Sequence, residues 1–189
     1  MKLLLSLFIA ALTSLAQQAA TGSEPKKDPP ADAAAATLRT DVLKILEMDG
    51  TRQSLRERLT AMIPAGKAKM KESCEKCAPE FSEEWARRME ARFNLDDVLE
   101  IYVRAYVKYL NEEDVQRMFT LLDAVKKDPQ NVVVPPELKT KLASVLPSLQ
   151  SEIMGGTTQY GAKLGAEIGM EIEKEHPEWV KAMYQKDKP

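Results

Sequence analysis

The sequence predicts an all-α protein: a single helical domain of about six or seven helices, kinked at Pro64 and Pro147, with no sheet. Two observations predict this class. Apolar residues recur at helical spacing nearly throughout from Thr37 onward, and the extended run at Val132–Val134 has no second strand to pair with. Apolar residues make up 44% of the chain and charged residues 30%, which is the composition of a folded protein.

The first twenty residues, MKLLLSLFIAALTSLAQQAA, are typical of an export signal. Lys2 supplies the positive end, Leu3 to Leu15 the apolar core, and Ser14-Leu15-Ala16 a small-x-small cleavage site. The apolar run is shorter than the about 20 residues that span a bilayer with ease. We therefore expect a signal peptide over residues 1–16, no transmembrane segment after its cleavage, and a periplasmic or extracellular protein. An uncleaved anchor is the alternative.

A flexible linker rich in Pro, Ala and Lys is predicted over residues 17–36, and its alanines can extend the first helix. The helical domain is predicted over residues 37–185. Gly50 is expected to end the first helix, and Thr51 or Ser54 to begin the second. Pro64 removes a backbone donor from this second helix, which predicts a kink or a break. The apolar stripes are Leu38, Val42, Ile45 and Leu46, then Leu55, Leu59, Met62 and Ile63.

Polar residues mark the starts of the next three helices. Ser82 is predicted to be the N-cap of the helix EEWARRMEARF. Asn94, with Asp97 three residues later, is expected to begin the following helix, and Asn111 repeats this arrangement with Asp114.

The chain beyond these helices is predicted to contain a break, a long helical stretch and a short tail. Asp128 to Glu137 interrupts the helical pattern, and Pro135-Pro136 is expected to start the next helix. Pro147 predicts a second kink, after which a long helix runs to about His176-Pro177. The amphipathic tail holds Trp179, Val180 and Met183.

The segment FNLDDVLEIYVRAYVKYLNEEDVQRMFTLL, from Phe93 to Leu122, resembles an exported bacterial family called domain of unknown function 2059. The later LPSLQSE resembles the next helix of that family, and the resemblance extends over residues 38 to about 170. Two features depart from the family pattern: Leu121-Leu122 replaces a Phe-Tyr pair, and the segment KKDPQNVVVPPE is longer than the family's turn. The resemblance implies no catalytic residues. The matching residues are Phe93, Asp96, Asp97, Tyr102 and Asn111-Glu112-Glu113.

Cys74 and Cys77, the two cysteines of the chain, are a candidate disulfide or redox site. A thioredoxin-like pair needs a strand that leads into a helix N-terminus, and no such pattern surrounds this one. Ala78 stands where a haem attachment motif needs histidine, and a structural zinc site needs four ligands. A local disulfide before Pro79 would close about four residues and contribute about 2 kcal/mol. A structural disulfide, a redox-active pair, and free, intermolecular or metal-bound thiols all stay open.

Gly161, Gly165 and Gly169 are spaced four residues apart within a predicted helix. Each glycine costs about 1 kcal/mol of helix stability relative to alanine, so a close approach of another element is expected to offset it. Charged residues such as Lys163 and Glu167 argue against a position inside a membrane. We interpret the face as a helix-packing surface in water, with self-association or membrane association as alternatives.

Tyr102, Tyr106 and Tyr109 form a stripe that can line a ligand groove or pack with its hydroxyls at the rim of the core. The carboxylates of Glu112-Glu113-Asp114 are better explained by helix capping than by a metal or acid/base site. His176 is the single histidine of the chain, and no Ser-His-Asp arrangement is discernible around it.

These observations favour a non-enzymatic interaction module with no catalytic residues, no metal and no cofactor. The chain has 27 Lys and Arg and 29 Asp and Glu, for a net charge of −2, which argues against a nucleic-acid surface. Arg87-Arg88 is interpreted as a solvated helix face. The expected partner is an unknown protein or an apolar ligand, and a homo-oligomer is open. The alternatives are redox function at Cys74/Cys77 and membrane-proximal assembly through the glycine face.

Overall fold

The structure is a computed structural model that describes residues 31–184, with side chains from 35 to 181. Within these residues it is all helical, with seven helices and no strand, so the predicted all-α class is confirmed. The predicted signal peptide and most of the predicted linker lie outside the described residues. The helices are α1 (Ala31–Met48), α2 (Thr51–Ser73), α3 (Pro79–Arg92), α4 (Leu95–Tyr109), α5 (Glu112–Lys127), α6 (Pro136–Glu175) and α7 (Pro177–Tyr184).

Several predicted helix ends agree with the structure. Gly50 has a φ of 79°, a conformation that favours glycine, and α2 begins at the next residue, Thr51. The helix α6 begins at Pro136 and ends one residue before His176. The alanines before residue 37 belong to α1.

Both internal prolines lie inside continuous helices: Pro64 in α2 and Pro147 in α6. A proline removes one backbone hydrogen bond, but the turns on either side keep theirs. The half-buried stripe of α2 continues on both sides of Pro64, from Leu59 and Ile63 to Gly66 and Met70. Packing of this stripe supports the helix across the missing bond, so Pro64 does not break α2.

The described helices form two compact units, of which the first contains residues up to Thr51 and Tyr102–Glu152. In this first unit α1 packs against α5. The side chains of Asn111 and Asp114 exchange hydrogen bonds with each other's backbone N–H, which confirms the predicted capping pair at the start of α5. The buried apolar residues of the first unit include Val42, Ile45, Leu46, Val115, Met118, Leu122, Leu138 and Leu142.

The second unit contains Arg52–Ile101 and the residues from Ile153 onward. It is built around one apolar cluster to which α3, α6 and α7 contribute, and α3 packs against α7. At four-residue spacing, α6 places three residues of this cluster on a single ridge. The cluster consists of Phe81, Trp85, Met89, Leu164, Ile168, Ile172 and Val180.

The predicted N-cap at Ser82 is wrong. The helix α3 begins at Pro79, and its N-cap is Ala78, four residues before Ser82. Ala78 makes no side-chain capping bond. Proline at the first helical position already has the φ of a helix and lacks an N–H that would need a partner. Ser82 is buried within the first turn, where its hydroxyl donates to the Pro79 carbonyl at 3.0 Å.

Asn94 caps α4 as predicted, although its second bond differs from the expected one. The Asn94 side-chain oxygen accepts from the Asp96 N–H at 2.9 Å. Its own N–H donates to the Tyr160 hydroxyl at 3.0 Å rather than to Asp97. The Tyr160 ring also meets Phe93 edge to face, with centroids 5.4 Å apart. The α3–α4 turn is therefore held by a residue of α6.

Candidate functional site at the disulfide turn

Cys74 and Cys77 lie at disulfide distance in the turn between α2 and α3, with Cα atoms 5.3 Å apart. The backbone joins this turn to the end of α2, because the Cys74 N–H donates to the Met70 carbonyl at 2.9 Å. The Cys77 N–H donates to the Cys74 carbonyl at 3.0 Å, which closes the turn. The two cysteines therefore lie within a single turn, at the distance that a disulfide requires.

A surface depression of about 270 Å³ opens beside this turn. Its apolar wall is formed by Met70, Pro79 and Phe81, and both cysteines line it. Lys71 and Glu75 also line it and are exposed, so they bring one charge of each sign to its rim. The volume is just below the range of pockets that hold drug-sized ligands, about 300–1,000 Å³. The depression therefore has room for a single side chain or a group of similar size.

The same turn is in contact with α7. The Ala78 N–H donates to the Trp179 carbonyl at 2.8 Å. The His176 ring stacks on the Trp179 ring, with centroids 3.8 Å apart and planes 7° from parallel. Val180 is buried in the apolar cluster of the second unit, and Cys77 packs against that cluster. The histidine thus makes structural contacts at the α6–α7 junction.

Of the three glycines predicted to form a packing face, Gly165 is the one that the structure brings against another helix. The Trp85 indole lies over it and donates its N–H to the Gly165 carbonyl at 3.1 Å. A Cβ at Gly165 would lie 3.3 Å from Trp85 Cζ2. A Cβ at Gly161 or Gly169 would meet no described neighbour within 4 Å. The close approach expected at all three positions is therefore present at Gly165.

The two open glycines provide a test of the self-association hypothesis. If the chain acts as a monomer, Gly161→Ala and Gly169→Ala should each raise the free energy of unfolding by about 0.5–1 kcal/mol, because alanine is the better helix former. Urea denaturation at several protein concentrations measures this. The control is Gly165→Ala, which should gain less because the new methyl group meets Trp85. A loss of stability that grows at higher protein concentration would instead place Gly161 and Gly169 in an interface.

The three tyrosines of α4 are half-buried within the first unit. Burial raises the pKa of the Tyr106 phenol, and the nearby Asp49 carboxylate raises it further. Glu152 has a lowered pKa, first because Lys108 donates to it and then because Tyr109 does. Lys108 Nζ lies 2.9 Å from both oxygens of Glu152. These contacts fit tyrosines that pack with their hydroxyls at a polar rim, whereas a ligand groove at Tyr102, Tyr106 and Tyr109 stays a prediction.

Of the three acidic residues at the start of α5, Asp114 takes part in helix capping. The Asp114 carboxylate accepts from the Asn111 N–H at 3.2 Å, and the Asn111 side chain accepts from the Asp114 N–H at 2.9 Å. Over the described part of the chain, no group of three or more His, Cys, Asp or Glu side chains is arranged to hold a metal ion.

An ion-pair ladder connects α3 to α6 and was missed by sequence reasoning. Arg88 Nη2 lies 2.5 Å from Glu175, and Arg92 Nη1 lies 2.6 Å from Glu171. Arg88 is only 17% exposed, so the interpretation of Arg87-Arg88 as a solvated face is wrong for Arg88, although Arg87 is 68% exposed. The sequence offered one signal for this ladder: the two arginines and the two glutamates are each spaced four residues apart, which places each pair on one face of its helix.

Glu84 anchors the α3 side of this ladder, and its pKa is lowered to about 2. The first cause is its hydrogen bond from Arg87, and the second is its bond from Arg88. Arg88 Nε lies 2.6 Å from Glu84 Oε1. The two arginines therefore favour the charged carboxylate in the folded protein.

We expect this interaction to be lost in acid. The folded-state pKa of Glu84 lies below its ordinary value of 4.5, so its contribution is complete above pH 4.5 and falls as the pH drops toward 2. Solvent screening limits the effect to about 0.5–1 kcal/mol. Urea unfolding of the wild type and of Glu84→Gln between pH 2.5 and 6 measures it. The two proteins should differ most at pH 6 and converge near pH 2.5, and a difference that is constant with pH would contradict the assignment.

No helix in residues 31–184 combines the length and the apolar character that crossing a membrane requires. Comparison of the chain with protein families, with curated proteins and with solved structures finds no match. The resemblance of residues 93–122 to the domain-of-unknown-function 2059 family therefore stays a prediction. We take the depression beside Cys74 and Cys77 as the candidate functional site, because it adjoins the two cysteines.

Proposed function

We propose that this chain is an exported, non-enzymatic helical module that binds an apolar segment of a polypeptide in the depression beside Cys74–Cys77. The observation that carries the proposal is the composition of the depression. Met70, Pro79 and Phe81 give it an apolar wall, while Lys71 and Glu75 place opposite charges at its edge. A polypeptide segment offers an apolar side chain for the wall and backbone dipoles for the rim.

Rigid support favours recognition at this position. The depression is lined by the last turn of α2, by the turn that contains both cysteines and by the first turn of α3, and a bond between the cysteines restrains that turn. Phe81 belongs to the apolar cluster, so the wall is continuous with the core of the second unit. A preformed surface of this kind loses little conformational entropy on binding.

Site-specific photocrosslinking in the intact cell envelope tests this proposal. A benzoylphenylalanine residue at Lys71 should give a discrete crosslinked polypeptide, whereas the same residue at Lys174, which is exposed on α6, should not. The change Glu75→Arg should weaken the Lys71 crosslink by altering the charge at the rim. Identical crosslinks from positions 71 and 174, or none from either, would count against a binding site here.

Export is part of the proposal and is supported by the N-terminal pattern and by a cysteine pair at disulfide distance. The protein purified from its native source should begin at Gln17. Intact-mass measurement checks this, since loss of residues 1–16 gives a defined mass. A chain that retains Met1 to Ala16 would support the uncleaved anchor instead.

Thiol-disulfide exchange is a second candidate function, because both cysteines line an open depression. The reduction potential of the pair separates the two functions. A value below about −300 mV is typical of inert structural disulfides and would exclude the redox function. A value near those of known exchange proteins, about −270 to −120 mV, would favour it.

A further inference from the structure

The turn that contains the disulfide is joined to α7 by a main-chain hydrogen bond. Ala78 directly follows Cys77 and precedes the first residue of α3. Its N–H donates to the Trp179 carbonyl of α7 at 2.8 Å, so this donor bonds to another helix and not to a residue of α3. The position of this donor depends on the conformation of the turn, and the bond between Cys74 and Cys77 restrains that turn.

The helix α7 depends on its docking. It has eight residues. Isolated helices shorter than about 12–15 residues are only marginally stable in water. It is held by the burial of Val180, the packing of Trp179 against the apolar cluster and the bond from Ala78. One of these three contacts is therefore made by the residue next to Cys77.

We propose that the Cys74–Cys77 disulfide is a redox-operated latch that keeps α7 docked on α3. In the oxidised protein the closed turn presents the Ala78 N–H to Trp179. Reduction by a dithiol breaks the S–S bond: the two electrons and two protons come from the dithiol, which becomes a disulfide, and two cysteine thiols remain. The turn then loses its covalent restraint, and α7 undocks more often.

The reagent can reach the bond, because both cysteines line the surface depression and are only half-buried. Undocking of α7 would uncover Val180 and Trp179 next to that depression. The apolar surface that the second unit offers would then depend on the redox state of its environment. This goes beyond the proposed binding function, which requires only the closed turn.

Hydrogen exchange measured by mass spectrometry tests the latch on the full chain with dithiothreitol as the reductant. Reduction should speed exchange in the peptide that covers α7 by up to about twentyfold. This is the largest change in the opening equilibrium that releasing a four-residue loop can cause. A peptide from α5, which is in the first unit, should exchange at an unchanged rate. Unchanged exchange in α7, or equal acceleration in α5, would overturn the proposal.

Two variants separate the latch from a general loss of stability. Ala78→Pro removes the donor and suits the φ of −60° at this residue. It should speed exchange in α7 even when oxidised, and reduction should add little. The double variant Cys74→Ser, Cys77→Ser keeps the Ala78 donor and should behave like the reduced protein without added dithiol. Slow α7 exchange in this double variant would overturn the latch.

Discussion

Replacing Trp85 by alanine should lower the free energy of unfolding by about 3–5 kcal/mol, the usual range for a large aromatic residue removed from a core. Trp85 is 7% exposed and belongs to the apolar cluster of the second unit. It fills the space that two glycines leave open, since a Cβ at Gly66 would lie 3.0 Å and one at Gly165 would lie 3.3 Å from its ring. Because both neighbours already lack side chains, little can collapse into the cavity.

Urea unfolding followed by circular dichroism measures this loss, and Trp85→Phe is the matched control. Phenylalanine keeps part of the ring but loses the bond from the indole N–H to the Gly165 carbonyl. A buried hydrogen bond contributes about 0.5–1.5 kcal/mol, so Trp85→Phe should cost clearly less than Trp85→Ala. A loss below 1 kcal/mol for Trp85→Ala would contradict the packing described for α2, α3 and α6.

The adjacent glycines Gly155 and Gly156 should respond to alanine with opposite signs. A Cβ at Gly156 would lie 2.6 Å from Ile101 Cγ2, which is much closer than van der Waals contact, and Ile101 is buried. Gly156→Ala should therefore destabilise the protein by about 1–3 kcal/mol through overpacking. A Cβ at Gly155 would meet no described neighbour within 4 Å. Gly155→Ala should stabilise by about 0.5–1 kcal/mol because alanine favours the helix.

Thermal and urea unfolding of the two single variants measure this difference. The additional change Ile101→Val does not remove the Cγ2 contact, whereas Ile101→Ala does. The variant Gly156→Ala should therefore lose much of its effect in an Ile101→Ala background and little of it in an Ile101→Val background. Equal effects of Gly156→Ala in both backgrounds would contradict the contact.

The sequence allowed the helices to be predicted because their signals are local. Apolar spacing, Gly50, Pro136 and the Asn111–Asp114 pair each act within a few residues, and the structure contains each of them where it was expected. The start of α3 was missed because two local signals competed. Ser82 is a good capping residue, but Pro79 fits the first helical position three residues earlier.

The pairings between distant residues could not be predicted in the same way. Trp85 and Gly165 are 80 positions apart, and nothing near Gly165 distinguishes it from Gly161 or Gly169. The Tyr160 hydroxyl that supports Asn94 is 66 positions away. Spacing identifies a face of a helix, whereas the partner of that face depends on how the elements pack. The glycine face and the tyrosine stripe were therefore found as faces, without their neighbours.

The ladder of charges between α3 and α6 has a consequence for register. The α6 glutamates that pair with Arg88 and Arg92 recur every four residues, at Glu167, Glu171 and Glu175. The three glycines of α6 and its ridge of Leu164, Ile168 and Ile172 have the same spacing. A slide by one turn would thus set Trp85 over another glycine and keep some arginine–glutamate pairs. Two contacts lack this repeat: Ala78 with Trp179 at the start of α3 and Asn94 with Tyr160 just after its end. A slide by one turn would break both of these contacts. They therefore fix a single alignment of α3 and α6, although the interface between the two helices is repetitive.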